Sequence, residues 1–238
     1  MRYFAYIICL FLFSTSLNAQ FKASVYTDMG ESNVSAGFNL KASASAGYKL
    51  NKFELTTAFQ SDIISNNTNM FSGWNIKLSK DFNLTNFNFN GEIFYLWAPY
   101  SDLVRETNYG LLLSTKKEHF NLKIGTNFRT LGYTQKAINE FGFSSNTDVH
   151  DNFNLMYALS YDINKAESPW NAGLTVTNFD QFKINQEMNP YWNLHGYYDI
   201  NEPIRLFGEA WYETAGSFNL HVNYFGFFIR TGIIYRFK

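Results

Sequence analysis

Apolar and polar residues alternate along most of this chain. From Asn86 to Trp97 (NFNFNGEIFYLW), Phe87, Phe89, Ile93, Tyr95 and Trp97 share one parity, and Asn88, Asn90 and Glu92 share the other. Phe120, Leu122, Ile124 and Phe128 alternate with Asn121, Lys123, Asn127 and Arg129. Phe153, Leu155, Tyr157, Leu159 and Tyr161 do so with Asn152, Asn154, Ser160 and Asp162. A period of two sorts residues onto opposite faces of a strand, whereas a helix would scatter them. Counting such runs predicts about twelve strands, near 20–29, 34–50, 52–62, 70–81, 86–98, 106–116, 119–130, 150–163, 170–179, 191–200, 203–213 and 219–237. Ten is the alternative count, with the weak pair at 170–200 as loop.

The predicted connections alternate in length. Short ones fall at 51–52, 82–85, 117–118, 164–169 and 201–203, and longer ones at 63–69, 99–105, 131–149 and 180–190. The four prolines (Pro99, Pro169, Pro190 and Pro203) lie in connections or at a strand's first residue, where a missing N–H does no harm. Short turns on one side and longer loops on the other suit an all-β fold, a transmembrane antiparallel up-and-down β-barrel.

Composition sharpens this expectation. Aromatic residues make up 19% of the chain, yet mean hydropathy is only −0.24. After residue 19 no run of 18 apolar residues could form a membrane helix. Dispersed aromatics separated by polar residues suit a wall with lipid outside and water inside. A secreted β-sandwich, the competing fold, would not place its aromatics so heavily on one outward face.

The N-terminus predicts the compartment. Arg2, the apolar run Tyr3–Phe13 and the small, polar stretch Ser14–Ala19 have the layout of a secretory signal peptide cut after Ala19. Eleven apolar residues in a helix reach only about 16 Å, too short for a hydrocarbon core of about 30 Å. The remaining 20–238 form one expected barrel domain. Cys9, the only cysteine, falls inside the leader, which excludes disulfides, thiolate metal sites and cysteine nucleophiles from the mature chain. Without Arg2, 18 Lys+Arg stand against 20 Asp+Glu, a balance that gives no reason to expect nucleic acid.

Phe225, Phe227, Ile229, Ile233, Tyr235 and Phe237 alternate to the end of the chain. This last run resembles the C-terminal signal of bacterial outer-membrane β-barrel proteins, although Lys238 follows the final aromatic. The resemblance implies the outer membrane, contact with its lipid, and recognition by the barrel-assembly machinery.

On the opposite parity, the expected lumen-lining set is Glu54, Glu92, Lys123, Arg129, Asp162, Arg205, Glu209, Glu213 and Arg230. Mixed charge in one lumen can pair and close it, or line a water-filled path. Inward aromatics Phe207, Trp211 and Phe228 fit a stacking constriction or simple filling. The second strand carries small inward residues (Gly37, Ser43, Ser45 and Gly47) that fit a bulky neighbour or contact with another envelope protein.

Catalytic candidates are few. Asp148-Val149-His150 resembles the Asp-x-His pair of omptin-type surface proteases, which implies Asp148 as orienter and His150 as base toward water. The second acidic pair of that family is missing, since Asp62 and Asp102 form no Asp-x-Asp. Neither a Gly-x-Ser-x-Gly elbow nor a metal-ligand spacing occurs, and no metal or cofactor is implied. The leading expectation is a small passive channel or solute-binding, porin-like protein. A non-conducting accessory subunit of an envelope complex and an omptin-like surface hydrolase are the alternatives.

Overall fold

The structure is a computed structural model that describes residues 19–32, 38–64, 71–84, 87–99, 103–143, 148–164, 168–184, 190–215 and 223–237. Its strands are β1 (Ala19–Ser32), β2 (Phe38–Leu50), β3 (Phe53–Ile64), β4 (Phe71–Leu84), β5 (Phe87–Pro99) and β6 (Val104–Lys117). They continue as β7 (Phe120–Tyr133), β8 (Asp148–Asp162), β9 (Trp170–Thr177), β10 (Tyr191–Asp199), β11 (Ile204–Ala215) and β12 (Asn223–Phe237). Among the described residues one helix, α1 (Gln135–Phe141), lies between β7 and β8.

Each strand pairs antiparallel with its chain neighbours, and β1 pairs with β12 from Phe21↔Phe237 to Ser32↔Gly226. This closes a twelve-stranded up-and-down barrel, which settles the strand count at twelve. The alternating sequence explains the two faces. Val25, Phe59, Ile93, Leu111, Phe153 and Leu194 are exposed on the outside, while Asn75, Glu92, Asn127, Arg129 and Arg230 on the other parity are buried within. An apolar outer wall over a closed antiparallel ladder is what hydrocarbon surroundings demand.

Tight turns join the strands at one end. Asn51 and Glu118 take left-handed φ angles of 54° and 53°. Asn tolerates that region through its short polar side chain, so the β2–β3 turn is legible in sequence. Glu118 carries no such signal, and the β6–β7 turn is 118–119, one residue later than expected.

The longest expected loop, 131–149, is largely ordered. Its first residues extend β7 to Tyr133, its last begin β8 at Asp148, and α1 occupies the middle. The Thr134 hydroxyl caps α1 by accepting from the Ala137 amide at 3.3 Å, and Gly142 ends it at φ 70°. Pro99, expected in a connection, is the last residue of β5, an end position that its missing donor permits.

Candidate functional site: the occupied lumen

β9 and β10 have only 8 and 9 residues, while neighbouring β8 has 15. The chain leaves β9 early and turns into the barrel. Phe179 bridges Ile184, and the Asp180 amide donates to the Lys183 carbonyl at 2.7 Å, so 179–184 form a tight hairpin tip. Asn178 makes the departure possible. Its side-chain amide donates to the Leu155 carbonyl at 2.7 Å and accepts from the Tyr157 amide at 2.9 Å. One side chain thus replaces a missing ladder partner for β8.

The tip crosses the lumen. The Gln181 carbonyl accepts from Asn75 Nδ2 on β4 at 2.8 Å, and its side-chain amide donates to the Tyr26 hydroxyl on β1. Lys183 pairs with Glu213 on β11 at 2.7 Å. Phe182 and Ile184 are buried against Ala58, Leu96, Leu112 and Met156, with Phe94 and Phe179 beside them. An apolar patch inside a polar barrel is unusual, and the loop's own apolar residues cover it. Asp180 and Gln181 are polar and reach instead for groups that can pair with them.

The decisive anchor is Arg230, buried on β12. Its guanidinium donates to Asp28 on β1 at 2.7 and 3.0 Å, to Asp180 at 2.9 and 2.8 Å, and to Glu209 on β11 at 3.3 Å. Gln60 holds the back of Asp28 at 2.8 Å. Tyr26, Trp211 and Phe228 surround the guanidinium at 5.1, 5.7 and 5.5 Å. Trp211 stacks on Phe228 with 9° between their planes and donates to Glu209 at 2.7 Å. A planar fork satisfied by three carboxylates orients every group it touches.

The other residues singled out by parity lie in separate pairs. Glu92 sits between Lys77 and Lys123, each at 3.5 Å, and Arg129 meets Glu106 at 2.7 Å. Asp162 takes Lys116 at 2.8 Å and His195 at 3.1 Å, and Glu54 pairs with Lys22. Arg205 makes two bonds to Asp199, at 2.7 and 2.8 Å, and lies 3.5 Å from the Tyr197 ring centroid. Asp28 could have been found from its parity with Tyr26. Asp180, Gln181 and Lys183 could not, because they belong to a connection, where alternation carries no information. Asp148 and His150 fall at the start of β8, opposite Gly132 and Leu131, and their side chains lie outside the described residues. His119 in the β6–β7 turn and His195 on β10 both bond to Asp162, at its backbone carbonyl and its carboxylate respectively.

Between the docked loop and the short-turn end, a cavity of about 300 Å³ remains along β1, β2, β10, β11 and β12.

A closed barrel of this size with a loop folded into its lumen invites comparison with known barrels. A KdgM porin aligns at a TM-score of 0.52, with 11% identity over 90% of this chain and 99% of its own. The chain shares the β-barrel fold of this porin. A NanC porin aligns at 0.51, with 12% identity over 89% of this chain and 98% of its own. An outer-membrane channel from Pseudomonas putida F1 aligns at 0.52, with 11% identity over 94% and 97%. A further KdgM structure holds that porin in complex with disordered oligogalacturonate. No protein-family model matches the chain, and no curated protein matches it by sequence. Identities this low carry the fold and say nothing of the solute.

Proposed function

We propose that this protein is a bacterial outer-membrane channel for small polar solutes, throttled at mid-height by its own β9–β10 connection. In this reading the leader, 1–19, is removed on export, and the short turns and both chain ends face the periplasm. The closing strand β12 is what the assembly machinery engages. The apolar outer wall, the polar inner wall and the likeness to porins support the reading. The observation that carries it is the docking of Asp180 on Arg230. A connection held in the lumen by ionisable groups is a constriction that can be loosened, unlike a wall strand.

The test is single-channel conductance of the refolded mature barrel in a planar bilayer. Wild type should give small, infrequent steps, and Asp180→Ala should give larger or longer ones. Substitution of Arg230 should in addition shift ion selectivity.

One observation favours a second reading. Phe182 and Ile184 seal an apolar patch of Leu96, Leu112 and Met156, as a non-conducting subunit of an envelope assembly would. Silence from both wild type and Asp180→Ala barrels, each shown to be folded, would decide for that alternative.

A further inference from the structure

The cavity beside the docked loop is charged unequally at its two ends. At the loop end, Arg230 and Lys183 stand among four carboxylates, Asp28, Asp180, Glu209 and Glu213. Of these Glu209 and Arg230 line the cavity, and His195 on β10 lines it as well. The Oε2 of Glu209 accepts from Trp211 and Arg230, and its Oε1 accepts no hydrogen bond among the described residues. At the short-turn end the imbalance reverses. Arg205 and Arg236 share the single carboxylate of Asp199, at 2.7 and 3.3 Å. Arg205 is fixed there by its two bonds to Asp199 and by the Tyr197 ring beneath it.

The wall between these ends is amphipathic. Phe207 presents an aromatic face, and across the cavity Ser24 and Ser45 form a hydroxyl pair at 2.6 Å. Arg205 and Glu209 lie four residues apart on the inner face of β11, so their Cα atoms are separated by about 13 Å. Both side chains are long enough to close part of that gap. The geometry points to a binding site for a small zwitterion about the size of a dipeptide, its ammonium on Glu209 and its carboxylate on Arg205. Two linked residues span about 7 Å when extended, which the reach of the two side chains completes. A free amino acid is too short to meet both charges, and a neutral sugar would hydrogen-bond to them without matching either charge. A volume of about 300 Å³ lies at the small end of the range for ligand pockets, roughly 300–1,000 Å³.

The inference deepens the solute-channel reading and rests on it for its physiological sense, but binding is measured without conduction. The refolded full barrel in detergent is titrated calorimetrically with Ala-Ala, N-acetyl-Ala-Ala, Ala-Ala-amide and maltose. Ala-Ala should bind saturably, with each capped form weaker by about tenfold, the worth of one charge-assisted contact. Glu209→Gln should erase the penalty of N-acetylation alone, and Arg205→Gln the penalty of amidation alone. Heat-modified electrophoretic mobility verifies that each variant is a closed barrel. Trp211→Phe, which removes a donor to Glu209 but no charge, should keep the full ranking. Equal binding of all three peptides, tightest binding of the N-acetyl form, or maltose binding as well as Ala-Ala would each overturn the assignment. Saturable Ala-Ala binding by a barrel that never conducts would remove the channel reading and leave this site standing. Conduction with no peptide discrimination would do the reverse.

Discussion

Replacing Asp180 by alanine isolates the electrostatic latch from the apolar packing of the same loop. Asp180 contributes two hydrogen bonds to a guanidinium, at 2.9 and 2.8 Å, and both partners are largely withdrawn from water, at 12% and 5% side-chain exposure. Hydrogen bonds to charged groups contribute about 1.5–3 kcal/mol each. Arg230 keeps Asp28 and Glu209, so the variant does not strand an unpaired buried charge and the larger penalty for that case does not apply. Loss of docking free energy should therefore be about 3 kcal/mol, the low end for two such bonds, equivalent to roughly a hundredfold shift between docked and undocked loop. Open probability in single-channel records should rise by that order. Glu213→Gln is the internal comparison. It removes the pair with Lys183 but strands no buried charge, because the lysine is 47% exposed and stays in water, and such a pair contributes only about 0.2–1 kcal/mol. Its effect should stay below about fivefold. Equal open probabilities for wild type and Asp180→Ala, or a larger effect from Glu213→Gln, would refute the latch.

Three more expectations concern the same framework. Burial raises the Asp180 carboxyl pKa, but the charge and hydrogen bonds of Arg230 outweigh this and hold it below its ordinary value. A depressed carboxylate stabilises the docked loop above the undocked value of about 3.9 and loses that contribution as pH falls through the docked value. Conductance should therefore grow only on acidification below about pH 4, and the increase should vanish in Asp180→Ala. Asn178→Ala removes the partners of the Leu155 carbonyl and Tyr157 amide. It should cost about 1–3 kcal/mol for each group left unsatisfied, read as a lower urea midpoint of the refolded barrel. At Gly232 an added Cβ would sit 2.5 Å from the Val25 carbonyl and 2.3 Å from the Tyr26 Cβ, so Gly232→Val should impair closure of the β1–β12 seam. The heat-modifiable band of the folded barrel should be lost or greatly weakened.

Much of the wall was legible because a barrel strand writes itself twice, once in each parity. The run expected at 119–130 is β7, Phe120–Tyr133, and that expected at 86–98 is β5, Phe87–Pro99. Even the weak pair near 170–200 proved to be two strands, β9 and β10. The inward charges were legible as positions but not as partners. Parity shows that Arg230 and Glu209 face inward, yet only the register Glu209↔Arg230 and the closing pair Asp28↔Arg230 bring them together. The loop in the lumen left almost no advance sign. Its apolar residues, Phe179, Phe182 and Ile184, stand in a polar connection, and three such residues in six do not specify a direction. The shortness of β9 and β10, which sends the chain inward, depends on where neighbouring strands stop, a tertiary fact. The same limit explains α1, whose Thr134 cap and Gly142 stop were visible as residue types within a stretch expected to be loop.

The guanidinium that holds the latch also joins residues 202 positions apart, Asp28 near the start of the barrel and Arg230 in its final strand. Contacts of such separation form late, because the intervening chain must first be brought to closure. Arg230 reaches Asp28 only when β12 has zipped onto β1, and Asp180 needs both to complete its own anchorage. During biogenesis the lumen loop is thus the last piece to settle, and its settling reports that the first and last strands have met. A barrel stalled before that seam forms would present 178–184 to proteases that cannot reach it afterwards, so cleavage there times the closing step.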